Sequence, residues 1–150
     1  MSKSIDYLNV ERVALRLIAR AEQCTNGLTR KLEKRGFDTV CIKEVISDLS
    51  DKKLLDDSRF ARLWLHSRLR FAKSPRRLLL SLCARGIDRD DAEAALNEVL
   101  GEDDTEIVML TKFVKKYSKK ASGDPRSLKY MLKNEGFSLT AIQQFMGDEY

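Results

Sequence analysis

Apolar residues along this chain fall into one arrangement that recurs every fifty positions. Leu28, Leu78 and Leu128 share a register, as do Leu32, Leu82 and Leu132, and each pair precedes a glycine, Gly36, Gly86 or Gly136. A Leu pair at i, i+4 lies on one face of a short helix. The glycine ends that helix, because the position just past a helix end favours a left-handed backbone that only glycine adopts freely. An apolar residue follows each glycine (Phe37, Ile87, Phe137), and then a helix-capping type, Asp38, Asp88 or Ser138. Apolar positions recur together again at Ile42/Ala92/Ile142, Val45/Ala95/Phe145 and Ile46/Leu96/Met146. Two of the Leu-bearing helices open on Ser74-Pro75 and Asp124-Pro125, a cap followed by proline at the first helical position; Thr25 stands there in the first block.

A longer helix precedes each pair. Val10, Val13, Ala14, Leu17, Ile18 and Ala21 keep helical spacing in the first block, and Leu110, Phe113, Val114, Tyr117 and Ala121 keep it in the third. In the second, a helix over roughly 57–72 carries one stripe at Phe60, Leu63, Trp64 and Phe71 and another at Ala61, Leu65 and Leu69, as expected of a helix packed on two sides. The pattern predicts an all-α fold of three tandem three-helix repeats, 1–50, 51–100 and 101–150, stacked into an elongated, curved array. Cys24 and Gly27 open the second helix of the first repeat without a cap. That predicts a local loss of about 1–2 kcal/mol and makes the first repeat the most mobile.

Charge changes this picture from fold to partner. Between Ser58 and Ile87 there are eight basic side chains and no acid. Residues 88–106 then hold nine acids against Arg89, and 107–123 hold five lysines and no acid. Such blocks suit a polyanion on one part of the surface and a different neighbour on another. With 43% hydrophobic and 34% charged residues, the chain is expected to fold rather than remain disordered. No apolar run approaches the roughly 18 residues of a membrane span, and the first residues lack a signal peptide's apolar core. Cys24, Cys41 and Cys83 form no CxxC pair and read as reduced cysteines of a cytoplasmic protein. His66 is the only histidine, without clustered partners, so a structural role is expected, with no metal or other cofactor and no catalytic constellation.

The stretch "LLDDSRFARLWLHSRLRFAKSPRRLLLSLCARGI" closely resembles the signature of the RecX family of bacterial recombination regulators. The resemblance is carried by Leu54, Leu55, Asp56, Asp57, Arg59, Phe60, Ala61, Ser67, Arg68, Pro75, Arg76, Arg77 and Gly86. The opening "ALRLIARAEQCTNGLTRKLEKRGF" and the closing "LKNEGFSLTAIQQFM" resemble the family's first and last blocks, so the likeness spans essentially the whole chain. It departs at Cys24 and Gly27, where the family has a cap and a glutamate. The resemblance implies a regulator that lies along the RecA recombinase filament on single-stranded DNA and suppresses its strand-exchange, ATPase and coprotease activities.

On that reading the contact residues are Arg62, Arg70, Lys73, Arg76 and Arg77, with Lys115, Lys116, Lys119 and Lys120 as a second patch. Replacing Lys73, Arg76 and Arg77 together by alanine is expected to weaken inhibition and leave helicity intact. Asp56 and Asp57 are expected to cap the middle long helix. Arg59 and Arg68 are expected in structural ion pairs; Arg68 occupies the inward register place of Ile18 and would need a carboxylate such as Asp56 or Asp57. Trp64 is expected in the core. A helix-turn-helix transcription regulator is the main alternative, opposed by the acids of the helix that begins near Asp88; a scaffold for acidic proteins is a third. A monomer is expected, since no clean apolar stripe is left over.

Overall fold

The computed structural model describes residues 4–101, 104–117, 119 and 123–147. Among them lie nine helices: α1 (Ile5–Arg20), α2 (Thr25–Lys34), α3 (Thr39–Asp51), α4 (Asp57–Arg68), α5 (Pro75–Ala84), α6 (Arg89–Leu100), α7 (Thr105–Tyr117), α8 (Pro125–Glu135) and α9 (Leu139–Met146). Within each successive trio the first and third helices pack together (α1 on α3, α4 on α6, α7 on α9), and the second closes the unit. No helix of the first trio packs extensively on a helix of the third, so the trios form a row.

The apolar register sets the core. Leu28, Leu32, Leu78, Leu82 and Leu132 are wholly buried, with Ile42, Ala92 and Ile142 facing them from the third helices. The second and third repeats share one continuous cluster, whereas the first closes its own. The boundary is interlocked: Cys24 belongs to the cluster of the following repeats, and Leu55 packs into that of the first. Capping follows the sequence. Asp38, Ser74, Asp88, Asp124 and Ser138 each accept a backbone N–H at the start of their helices.

Helix α4 departs from its sequence pattern. It ends at Arg68 instead of near 72: the Phe71 N–H donates to the Arg68 carbonyl (3.0 Å) in a turn, and the chain then runs to Ser74, which is extended before Pro75. The stripe headed by Phe60 is only partly buried: Leu63, within the helix, and Phe71, beyond its end, are exposed. The fully buried stripe is Ala61 and Leu65. Ala21 is exposed at the end of α1, and Ala121 lies outside the described residues.

One contact joins the repeats twice. Gly86 and Gly136 have φ of +88° and +110°, and both meet the start of the second helix of the preceding repeat. A Cβ on Gly86 would stand 2.4 Å from Asn26 Nδ2, and one on Gly136 would stand 2.4 Å from Arg76 Cβ. Asn26 donates to the Arg85 carbonyl (3.1 Å), and Ser74 Oγ donates to the Glu135 carbonyl (2.7 Å). Asn26 and Arg76 are fifty residues apart, like the glycines they touch. At Gly36, with φ of +82°, a Cβ would meet nothing within 4 Å.

The uncapped helix α2 is completed from its neighbour. Cys24 supplies no side-chain cap, and Asp57 of α4 accepts the Thr25 N–H instead (2.7 Å). Gly27 leaves room for the Cys24 sulfur, which a Cβ there would approach to 3.1 Å.

Three stability outcomes follow, all read by urea unfolding of the full chain. Gly36→Ala should cost about 1–2 kcal/mol, the backbone strain alone. Gly136→Ala should cost about 3 kcal/mol or more, because the new carbon also collides with Arg76. Cys24→Ser should raise stability by about 0.5–1 kcal/mol, since a serine there can cap α2 as Ser74 caps α5. A destabilised serine variant would show that the sulfur's packing outweighs the cap.

Candidate nucleic-acid interface

The thirty acid-free residues are not a uniform cationic face: Arg59, Arg62 and Arg77 are paired with carboxylates of neighbouring elements, while Arg70, Lys73, Arg76 and Arg85 are exposed without such a partner among the described residues. Arg59 donates from Nε to Glu22 (2.6 Å) and from its two terminal nitrogens to the carbonyls of Lys53 (3.1 Å) and Leu54 (3.3 Å). It thus holds the end of α1 and the α3–α4 connection against α4. Asp56 accepts the Arg59 N–H at 3.0 Å as the cap of α4. Phe60 packs half-buried against the shared core.

Arg68 corrects the expected ion pair with Asp56 or Asp57. It is half-buried, but among the described residues it has no carboxylate partner. Its guanidinium lies over Trp64 at 5.2 Å and over Phe71 at 5.6 Å. Arg85 covers the Trp64 ring at 5.3 Å, and Arg70 lies 5.0 Å from the Phe71 centroid. The result is an alternating series of Arg85, Trp64, Arg68, Phe71 and Arg70, held by attraction between guanidinium and ring. Trp64 Nε1 and Arg68 Nε are buried without a hydrogen-bond partner. Trp64 is therefore a half-buried member of this series rather than a fully enclosed core side chain.

The remaining expected contact residues separate into groups. Arg62 lies 3.9 Å from Glu98 on α6. Arg76 packs its aliphatic stem on Gly136. Arg77 pairs with Glu135 of α8, whose carboxylate accepts its hydrogen bond and raises the guanidinium pKa further above its ordinary value. Arg76 and Arg77 are thus junction residues, and their joint replacement by alanine would loosen the third repeat; the expectation that helicity stays intact is revised. Lys115 and Lys119 are exposed, and Lys120 lies outside the described residues.

Three cations do converge. Lys73 and Arg77 from the second repeat and Lys116 from the third line one cleft of about 490 Å³. Phe71 and Met131 form part of its apolar lining. Phe113 and Tyr117, with centroids 4.7 Å apart and planes tilted by 45°, add two rings, of which Phe113 is buried. Lys116 Nζ lies 5.3 Å from the Tyr117 ring, and among the described residues Glu135 contributes the one carboxylate of the lining. Charge counting alone points to the lysines but not to these rings. The available signal is Phe71, an aromatic two residues ahead of a basic turn, assigned by periodicity to the core and 41% exposed in the structure.

No group of described His, Cys, Asp and Glu residues is arranged to hold a metal ion, and among the described residues no helix is long and apolar enough to cross a membrane. His66 is exposed. Helix α6, with Asp88 as cap and Asp90 and Asp91 in its first turn, presents acid where a recognition helix would meet phosphate.

A row of three-helix units with a cationic, aromatic-lined cleft between two of them defines the class: a helical repeat array. Residues 56–96 match the family model described as RecX, second three-helix domain. The chain is 36% identical over 140 residues to "Regulatory protein RecX" of Treponema pallidum (strain Nichols), covering 93% of this chain and 84% of that protein. It is 30% identical over 140 residues to "Regulatory protein RecX" of Pseudomonas entomophila (strain L48), covering 91% and 89%. The crystal structure of RecX from Lactobacillus salivarius superposes with a TM-score of 0.77 at 24% identity, covering 94% of each chain, a likeness of fold. The chain belongs to the RecX family of regulatory proteins.

Arg59→Lys should destabilise the protein by about 1–2 kcal/mol although charge is kept, because an ammonium cannot reproduce the fork of three hydrogen bonds. Thermal unfolding of the two proteins at one ionic strength checks this; equal midpoints would mean that the fork adds nothing beyond its charge.

Proposed function

We propose that this chain binds the RecA recombinase filament on single-stranded DNA and lowers its ATPase, strand-exchange and coprotease activities, modulating recombination and DNA repair. Membership of the family supports the partner. The observation that carries the reading is the convergence of Lys73, Arg77 and Lys116, from two different repeats, on one open cleft. A cationic cleft set between repeats suits a polyanion held within a larger protein assembly, where a linear array can touch both strand and subunits. The acting unit is a monomer in the cytoplasm, and the exposed Lys115 and Lys119 extend the cationic side along α7 and just beyond it. The transcription-regulator reading gains nothing from α6, whose first turn is acidic.

Titration of the chain into RecA hydrolysing ATP on single-stranded DNA, at two ionic strengths, tests the proposal. Hydrolysis should fall at or below one chain per RecA, and the effect should weaken as salt rises. Lys73→Ala with Lys116→Ala should require several-fold more protein for the same inhibition while unfolding like the parent, since both side chains are exposed. Unchanged hydrolysis at every ratio would remove RecA as the target.

A further inference from the structure

The cleft between the second and third repeats is richer than a phosphate site requires. Inorganic phosphate or a bare backbone needs cations and N–H donors, yet this lining includes Phe71, Phe113, Tyr117 and Met131. A purely apolar ligand, conversely, would have no use for Lys73 and Lys116. Glu135 adds a further constraint: its carboxylate, only 13% exposed and engaged by Arg77, is also part of the lining. An anion drawn into the cleft would meet that carboxylate, while an uncharged ring would not. The volume of about 490 Å³ falls in the range of small-molecule sites. Phe71 remains 41% exposed, with arginines near its ring and a place in the cleft wall.

We infer that this cleft takes an unstacked nucleobase of a single strand, seated against Phe71 with the Tyr117 ring beside it, and with Lys73 and Lys116 on the phosphates flanking it. The inference rests on the nucleic-acid side of the proposed function and specifies what the cleft holds. An unpaired strand can turn a base out of its path, whereas a duplex cannot do so without losing a pair, so the site selects single strands over duplex. Every base has a π-face, and the stacking surface tolerates any sequence.

The test compares a fifteen-residue oligo-dT strand with an abasic strand of equal length and charge, each bound to the full chain and followed by fluorescence anisotropy. The base-bearing strand should bind about 5-fold or more tightly than the abasic one. Phe71→Leu keeps an apolar side chain but no ring; it should erase that preference and leave abasic binding and its salt dependence unchanged. Lys73→Ala with Lys116→Ala should weaken both strands alike and reduce the salt slope by about 1.4, two contacts at roughly 0.7 each. Equal affinity of the unaltered protein for the two strands would overturn the inference, as would loss of both strands together in Phe71→Leu. The RecA titration is independent of either result: inhibition of hydrolysis without a base preference sinks the cleft assignment alone, and a base preference without inhibition sinks the RecA reading alone.

Discussion

The fold depends on a helix end that must be approached by another helix beginning. At the close of α5 and of α8 the last carbonyls have no partner within their own helix. The start of the second helix of the preceding repeat supplies one: Asn26 donates to the Arg85 carbonyl, and Ser74 to that of Glu135. The two termini also oppose a partial positive to a partial negative charge. The approach is possible only where the turn carries no Cβ, since any carbon there would enter Asn26 or Arg76. Each glycine therefore does two things, turning the chain and admitting its neighbour, and the fifty-residue spacing of the sequence becomes the repeat of the row.

The same junctions explain where the charge goes. Arg59 is drawn to Glu22 across the first boundary, and Arg77 to Glu135 across the second. Arg68 and Arg85 are spent on Trp64. Within a basic run that looks like a surface in the sequence, Arg59, Arg76 and Arg77 fasten one repeat to the next. Arginine suits this task, since its planar fork reaches a carboxylate and carbonyls together and its face stacks on rings. Lys73 makes no ion pair to a described carboxylate, and the cleft forms where it meets Lys116.

The helices and their caps were legible because they depend on local rules: Leu pairs at i, i+4, Ser or Asp before a helix, Pro after the cap. The boundary of α4 was not. Phe71 continues the apolar spacing, yet its N–H turns back to the Arg68 carbonyl, a tertiary choice that the local pattern does not signal. The partners of the motif arginines were hidden for another reason. Glu22 lies thirty-seven residues from Arg59 and Glu135 fifty-eight from Arg77, separations that register within one repeat cannot reveal. Cys24 and Gly27 look like a lost cap until Asp57 is seen to accept the Thr25 N–H from the next repeat. A resemblance can name Asp57, Arg59 and Arg77 as a motif; it takes the fold to show that they are bonds between repeats.

This redistribution also limits what electrostatics can contribute. Lys73 and Lys116 together release counterions worth a salt slope of about 1.4, which changes affinity only about 7-fold between 50 and 200 mM salt. A nonspecific duplex binder with six to ten phosphate contacts would change by about 10³–10⁵ over the same range. The cleft cannot hold a strand on charge alone, so its rings must add to the binding or a protein surface must. Both fit a row in which Arg59, Arg62 and Arg77 already face carboxylates. On that count the proposed complex is one in which the array would meet a nucleic acid at a few points and rely on an assembled partner for the rest of its grip.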